Sequence, residues 1–312
     1  MESSLDESVR KLIHQDSACG FPLAVCSLQA GLYAVLRAFG VGPGSEVVCD
    51  PIFPYAALAA VHSGARPVFP SIGNSPVLSP SAWQESCTTR TKAILATKLF
   101  DTTAPDIVFA PNNSGIPVIL DCALSPGTTL GSNAFVQVVG YSFNSGKPVS
   151  CGQGGLLVFQ SSDARDATEE WCQFGVSESR PNKSEIRFPG LNFGLSPALL
   201  PILRANRALL DGARERLALS WSAIDWSSKE VSEVLPTSGS FGWYRAFILP
   251  PGACAADQPE YLCAAGVKWK RCFVELPACS IRLFSDVSSS SSGAHDTIQR
   301  LVWYRPEISS FS

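Results

Sequence analysis

The feature that most constrains the fold is a train of short runs rich in Val, Ile and Leu, separated by turn residues. EVVCDPIF, ARPVFPSI, TKAILATKLF, IPVILD, AFVQVVGYSF and GGLLVFQ follow one another between residues 46 and 160. Several are apolar throughout rather than alternating, as strands covered on both faces must be. Two of the early runs follow helices. Residues 27–39 place Leu28, Leu32, Leu36 and Phe39 at helical spacing, with Gly40 where a helix stop belongs, and a second helix over Tyr55–Ser63 is stopped by Gly64. Helix and strand in this alternation predict an α/β domain with a largely parallel, doubly covered sheet.

Beyond residue 160 the pattern changes. SSDARDATEEWCQF reads as an exposed helix and SESRPNKSEIRFPG as a polar loop. Residues 196–224 form a long helical stretch, with Ser196 as the expected N-cap and Pro197 in the first turn. After it come a strand in SFGWYRAFIL, a short helix in PEYLCAAGV, a strand in KRCFVEL and a low-complexity loop, DVSSSSSGAHD. We expect two domains: residues 1–224, a large domain that includes the long helix, and residues 225–312, a small C-terminal α+β domain.

The composition removes several functions. Charged residues are only 16% of the chain and the net charge is −3, without a basic patch, so nucleic acid is not an expected partner. The amino terminus, MESSLDESVRKL, is acidic and lacks the apolar core of a signal peptide, and no run is long enough to span a membrane. A cytoplasmic protein is expected, in which the 11 cysteines, none in CxxC spacing, are reduced thiols. Only His14, His62 and His295 are present, each apart from paired cysteines, which argues against zinc and against a histidine-based hydrolase.

Two residues point to chemistry. Asp121 closes the strand IPVILD, and open α/β sheets keep their ligands at the carboxyl ends of strands. Lys147 follows the strand AFVQVVGYSF on the small-residue turn NSGK and precedes GQGG and another strand, an odd place for a solvated charge. Taken alone, Asp121 reads first as a turn or cap residue, and only its pairing with Lys147 reverses that; for Lys147 the surface-lysine reading is the lesser one. Core is the lesser alternative for Tyr55, a helix N-cap is compatible with any further role of Ser27, a loop cap stands level with a functional role for Asn192, and Arg245 reads as an exposed strand position before it reads as a carboxylate anchor.

The surrounding motifs resemble those of the DegT/DnrJ/EryC1/StrS family of aminotransferases that depend on pyridoxal phosphate (PLP). Asp121-Cys122-Ala123 is similar to the family's Asp followed by small residues. Ser142-Phe143 with Lys147 matches its Ser-Phe-x-x-x-Lys, and Gly152-Gln153-Gly154-Gly155 its Gly-Glu-Gly-Gly. GVGPGSEVVCDPIFPYAALAAVHSGARPVF, TKAILATKLF and PGLNFGLSP resemble further family stretches in the same order, from about residue 25 to 225. The resemblance implies fold type I, the aspartate-aminotransferase-like fold, with a shortened small domain. It implies Lys147 as the Schiff-base lysine and Asp121 as the partner of the pyridine nitrogen. Tyr55 takes the place of the ring-stacking aromatic, Ser142 that of a phosphate ligand, and Ser27, Leu28 and Gln29 that of the phosphate cup. Asn192 would reach the phosphate of a second subunit, so a homodimer with composite sites follows. The implied partners are an amino acid donor and a keto acceptor, either a nucleotide-linked keto-sugar or a secondary-metabolite ketone.

Departures accompany the match. Leu28-Gln29 replaces the family's Gly-Thr, so a hydroxyl is lost and the Gln29 amide is left as a substitute donor. Leu124 stands where a Gln or His meets the ring oxygen, Gly194 where an Arg follows the asparagine, and Lys98 where a His stands. These substitutions keep a second reading open, a PLP enzyme of the same fold that does not transaminate, such as a dehydratase, aldolase or other lyase.

Overall fold

The computed structural model describes residues 4–13, 20–71, 80–99, 115–127, 136–176, 185–222, 232–234, 244–249, 270–271 and 300–304. The chain opens with helix α1 (Leu5–Ile13) and strand β1 (Phe21–Val25), followed by α2 (Leu28–Ala38), β2 (Glu46–Cys49), α3 (Pro54–His62) and β3 (Arg66–Val68). Then come α4 (Pro80–Glu85), β4 (Thr91–Thr97), β5 (Val118–Asp121), β6 (Val136–Ser142), β7 (Gly155–Phe159) and α5 (Ser162–Cys172). A 3-10 turn (Pro197–Leu199) leads into α6 (Leu200–Ser222), and β8 (Ser232–Val234), β9 (Arg245–Ile248), β10 (Lys270–Arg271) and β11 (Leu301–Tyr304) complete the described elements.

Seven strands form one sheet in the order β1-β7-β6-β5-β4-β2-β3. The run from β6 to β3 is parallel, and β7 is antiparallel to both its neighbours, β6 and β1. The expected α/β class with a mostly parallel sheet is what is found. The last four strands make a separate antiparallel sheet, β10-β11-β9-β8.

Side chains alternate across the large sheet, so each strand feeds two apolar layers. On one face Cys49, Leu95, Ile119, Val138 and Leu157 pack with Leu32, Val35 and Leu36 of α2 and with the alanines of α3. On the other, Val48, Ile94, Leu120, Val139 and Leu156 pack with Val9 and Ile13 of α1, Trp83 of α4, Leu203 and Leu210 of α6, and Ile248. Coverage on both faces is why these strands read as continuous apolar runs.

The two early helices lie within a residue of their expected limits. Gly40 and Gly64 follow them with φ of 75° and 82°, the left-handed conformation that ends a helix cheaply only in glycine. Helix α5 is not simply exposed as expected. Thr168, Trp171 and Cys172, at helical spacing, are buried, and the Trp171 ring stacks on Phe188 at 4.2 Å with the Arg37 guanidinium 4.7 Å from its centre. A polar count hides one apolar stripe. Ser196 precedes the 3-10 turn but its side chain makes no capping bond there, because the α-helix proper begins four residues later. Helix α1 and strand β1 had no counterpart in the sequence reading. The expected PEYLCAAGV helix and serine-rich loop lie outside the described residues. Among the described residues no helix is long and apolar enough to cross a membrane, and the six described cysteines are free.

Candidate active site

A cleft of about 320 Å³ opens where the carboxyl ends of β5 and β6 meet the first turns of α2 and α3. Ser27, Leu28, Gln29, Tyr55, Asp121, Ser142 and Lys147 all line it. Seven of the eight residues singled out from sequence therefore meet in one place.

The floor of the cleft is the start of α2. Ser27 holds an extended backbone as N-cap, and its Oγ accepts the Ala30 N–H at 3.1 Å. The N–H groups of Leu28 and Gln29 are in the first turn, where no intrahelical acceptor exists. The turn sits tight on the sheet. A Cβ on Gly155 would lie 2.7 Å from the Leu28 nitrogen, and one on Gly140 would lie 2.5 Å from Leu28 Cδ1. Two strand glycines thus make the room that Leu28 fills. Beside it the Gln29 Nε2 is buried with no hydrogen-bond partner. An unpaired buried donor is costly unless an acceptor fills the cleft.

Asp121 ends β5, paired in register with Thr97 on β4 and Gly140 on β6, and is 6% exposed. Its Oδ1 accepts the Ala123 N–H at 2.8 Å. Burial pushes its carboxyl above the ordinary range, while that N–H and the Lys147 charge pull it back down. Lys147 belongs to the strap between β6 and β7, with its backbone N–H on Asn144 O at 3.0 Å and its side chain half-buried. A carboxylate and an ammonium thus face the same cleft within electrostatic reach.

Tyr55, in the first turn of α3, is 52% exposed on the cleft wall, so the core reading does not hold for it. Ser142 ends β6, and its Oγ accepts the Asn144 N–H at 3.4 Å. Asn192 is not brought into the cleft of its own chain. It is exposed and its backbone bridges Gln173. Leu124, expected beside the cofactor ring, is buried in the core cluster with Leu120 and Cys122, and Ala123 takes the cleft position instead. Gly194 is exposed and bridges Val25. Lys98 is fully buried; its N–H donates to Asp121 O, and its carbonyl accepts the Ser125 hydroxyl.

Asp50 was missed. It follows β2 as Asp121 ends β5, is 2% exposed, and its Oδ1 accepts the N–H groups of Ile52 (2.8 Å) and Phe53 (3.0 Å), launching α3. Burial raises its carboxyl to about 7, the two N–H bonds lower it, and the Asp121 charge adds to the rise. An Asp at the end of an apolar strand, the signal used for Asp121, was present in CDPIF as well.

The donors present fit PLP. A helix N-terminus with an unpartnered amide suits a phosphate, a buried carboxylate suits a protonated ring nitrogen, and a nearby lysine suits an aldehyde.

Comparison with known proteins gives the family and the fold. Residues 3–236 match the model of the DegT/DnrJ/EryC1/StrS aminotransferase family. The spore coat polysaccharide biosynthesis protein SpsC of Bacillus subtilis (strain 168) is 29% identical over 168 residues, 52% of this chain and 43% of SpsC, so the match spans less than half of that relative. Among solved structures, Spr1654 from Streptococcus pneumoniae in its PLP form superposes with a TM-score of 0.75 at 16% identity, covering 98% of this chain and 86% of the other. DesI, solved in the presence of its TDP-sugar product, gives 0.76 at 18% identity, with 98% and 80% covered. At such identities the structures establish the fold, and the family match over three quarters of the sequence establishes descent: this chain belongs to the DegT/DnrJ/EryC1/StrS aminotransferase family.

Proposed function

We propose that the protein is a PLP-dependent aminotransferase that moves an amino group from an amino acid to a keto acceptor, of which a nucleotide-linked keto-sugar is the leading class. The observation that carries this reading is the convergence of buried Asp121 and Lys147 on one cleft floored by the α2 N-terminus. Support comes from the family match and from relatives solved in PLP and PMP forms and with a TDP-sugar product.

PLP, when bound, supplies an aldehyde for amine capture and a ring that withdraws electrons from the bond being broken. Around it, Ser27, Ser142, the Gln29 amide and the first-turn N–H groups of α2 bind the phosphate. Asp121 keeps a proton at the ring nitrogen. Tyr55 covers one face of the ring and excludes water. Lys147 bonds the cofactor at rest and otherwise moves a proton at the substrate α-carbon as general acid and base. Residues 225–312 would form the small domain.

We further place the active form as a homodimer. Asn192 lies outside its own cleft, and the neighbouring Phe174, Ile186 and Leu191 are exposed apolar side chains, as a self-contact would require. Mixing Lys147→Ala with Asn192→Ala chains then restores activity; a fully active monomer in light scattering removes this part.

The experiment for the main proposal is borohydride reduction of the protein with PLP, which should fix the cofactor on the peptide containing Lys147. A separate, unreduced sample given an amino donor and no acceptor should release one equivalent of keto acid and retain pyridoxamine phosphate. Repeated turnover without pyridoxamine phosphate would select the lyase reading, and absence of any adduct would overturn PLP chemistry altogether.

A further inference from the structure

Lys147 hangs from a strap, residues 143–154, that is bonded to itself at several points. The Phe143 N–H donates to Gly154 O (2.9 Å), that of Cys151 to Phe143 O (3.1 Å), and that of Ser145 to Gly152 O (3.1 Å). Ser150 is the knot. Its hydroxyl donates to Phe143 O at 3.2 Å and accepts the Gly152 N–H at 3.1 Å. The carbonyl of Ser150 is in turn taken by a distant side chain: Asn206 of α6 donates from Nδ2 at 2.6 Å.

The part of α6 that carries Asn206 is itself held in place. The next residue, Arg207, is 4% exposed, donates to the Leu12 carbonyl of α1 at 2.5 Å and pairs with Asp211. Leu203 and Leu210, one turn to either side of Asn206, share a core cluster with Val149 and Cys151 of the strap. Asn206 is therefore a polar link from α6 to the strap, with the strap's Val149 and Cys151 and the helix's Leu203 and Leu210 in the same core and a fixed helix behind it.

We infer that Asn206 is a positioning residue for Lys147: by holding the Ser150 carbonyl it fixes the backbone from which the lysine reaches the cleft. It touches neither cofactor nor substrate, and the inference rests on the role proposed for Lys147. A lysine stem is long and flexible, so the accuracy with which its amine is delivered is set by where its backbone is held. Misplacement of a reacting group by about 1 Å costs on the order of a hundredfold in rate. A carboxamide suits the task because it donates to a carbonyl without carrying a charge into a partly buried contact.

The test uses full-length Asn206→Ala and Asn206→Asp, the second keeping the shape but lacking the donor at neutral pH. Hydrogen exchange measured by mass spectrometry, without added cofactor, should be at least tenfold faster over residues 144–151 in both variants, with α6 unchanged. With PLP, the rate at which Lys147 captures the cofactor should fall at least tenfold, and the pH midpoint of the lysine-bound absorbance band should move by half a unit or more. Partial recovery of Asn206→Asp at low pH, where its carboxyl becomes a donor, is expected. A lowered melting temperature with strap exchange, capture rate and midpoint at wild-type values overturns the inference. If Asn206→Ala fails to fold, the same three readings on Asn206→Asp decide. Absence of the band in the wild type overturns the role of Lys147 itself, and is told apart because strap exchange still reports on Asn206.

Discussion

Gly155→Ala would place one methyl group where β7 passes beneath the first turn of α2. Its Cβ would lie 2.7 Å from the Leu28 nitrogen and 3.0 Å from both Leu28 Cα and Tyr141 O, where ordinary contact begins at 3.4 Å. All three atoms are backbone, so no rotamer change relieves the clash, and the turn must retreat by about 0.7 Å, the difference between those distances. Overpacking of this kind costs about 1–3 kcal/mol, and at about 2–4 °C per kcal/mol the melting temperature should fall by about 2–12 °C. The same retreat moves Ser27, Leu28 and Gln29 together, so PLP affinity, read by fluorescence titration, should weaken at least about tenfold, or 1.4 kcal/mol. Gly140→Ala is the comparison. Its Cβ meets Leu28 Cδ1 at 2.5 Å, a side-chain tip able to rotate away, and the loss should be smaller. A Gly155→Ala protein that melts within a degree of wild type and binds PLP unchanged would refute the close approach, as would a Gly140→Ala protein that is the more damaged of the two.

Gly212→Ala in α6 meets nothing within 4 Å and should stabilise by about 0.5–1 kcal/mol, read as a higher denaturant midpoint; a loss would mean the helix is not regular there. Glu46 is buried beneath Arg66, Arg90 and Thr88. Burial alone would raise its carboxyl, but the three hydrogen bonds outweigh it and hold the carboxyl down at about 2. Its contribution is present above pH 4.5 and lost as pH falls through about 2. With both arginines partly exposed it is worth about 1–2 kcal/mol, so the gap between wild type and Glu46→Gln should close on acidification. Asp50 has the opposite sign. Its carboxyl is raised by burial to about 7, so stability is lost as pH climbs toward 7. Asp50→Asn, which keeps the two N–H bonds, should be the more stable protein at pH 8 in urea titration; equal or lower stability would contradict the burial.

The sheet was legible because most of its strands are apolar on both faces, and the α/β order follows from that with no tertiary information. Strand β1 was not: FPLAV is short, contains Pro22 and lies at the sheet edge, its place fixed by pairing with β7, 130 or more residues away. Helix α1 carries an apolar stripe of Leu5, Val9, Leu12 and Ile13, which becomes meaningful only against the sheet. At the site, strand-end position singled out Asp121 and glycine context singled out Lys147, both local signals. Which of Ala123 and Leu124 would turn into the cleft depends on the backbone turn after β5, and spacing from Asp121 does not encode that. Asn192 leaves its own cleft for the same kind of reason, since a bridge to Gln173 sets its place.

Because β7 runs against β6, the chain between them, residues 143–154, returns at the same end of the sheet as a closed hairpin loop, where a parallel neighbour would have needed a crossover to the opposite end. Lys147 is thus tethered at both ends to adjacent strands, one of them the neighbour of the strand that carries Asp121. Length in this segment becomes a geometric parameter: the strap's internal hydrogen bonds fix its register, so one residue more or less would shift where Lys147 stands. An insertion here would have to break the bonds that tie Phe143 to Gly154 and Ser145 to Gly152, so the strap's length is held by its own hydrogen bonds.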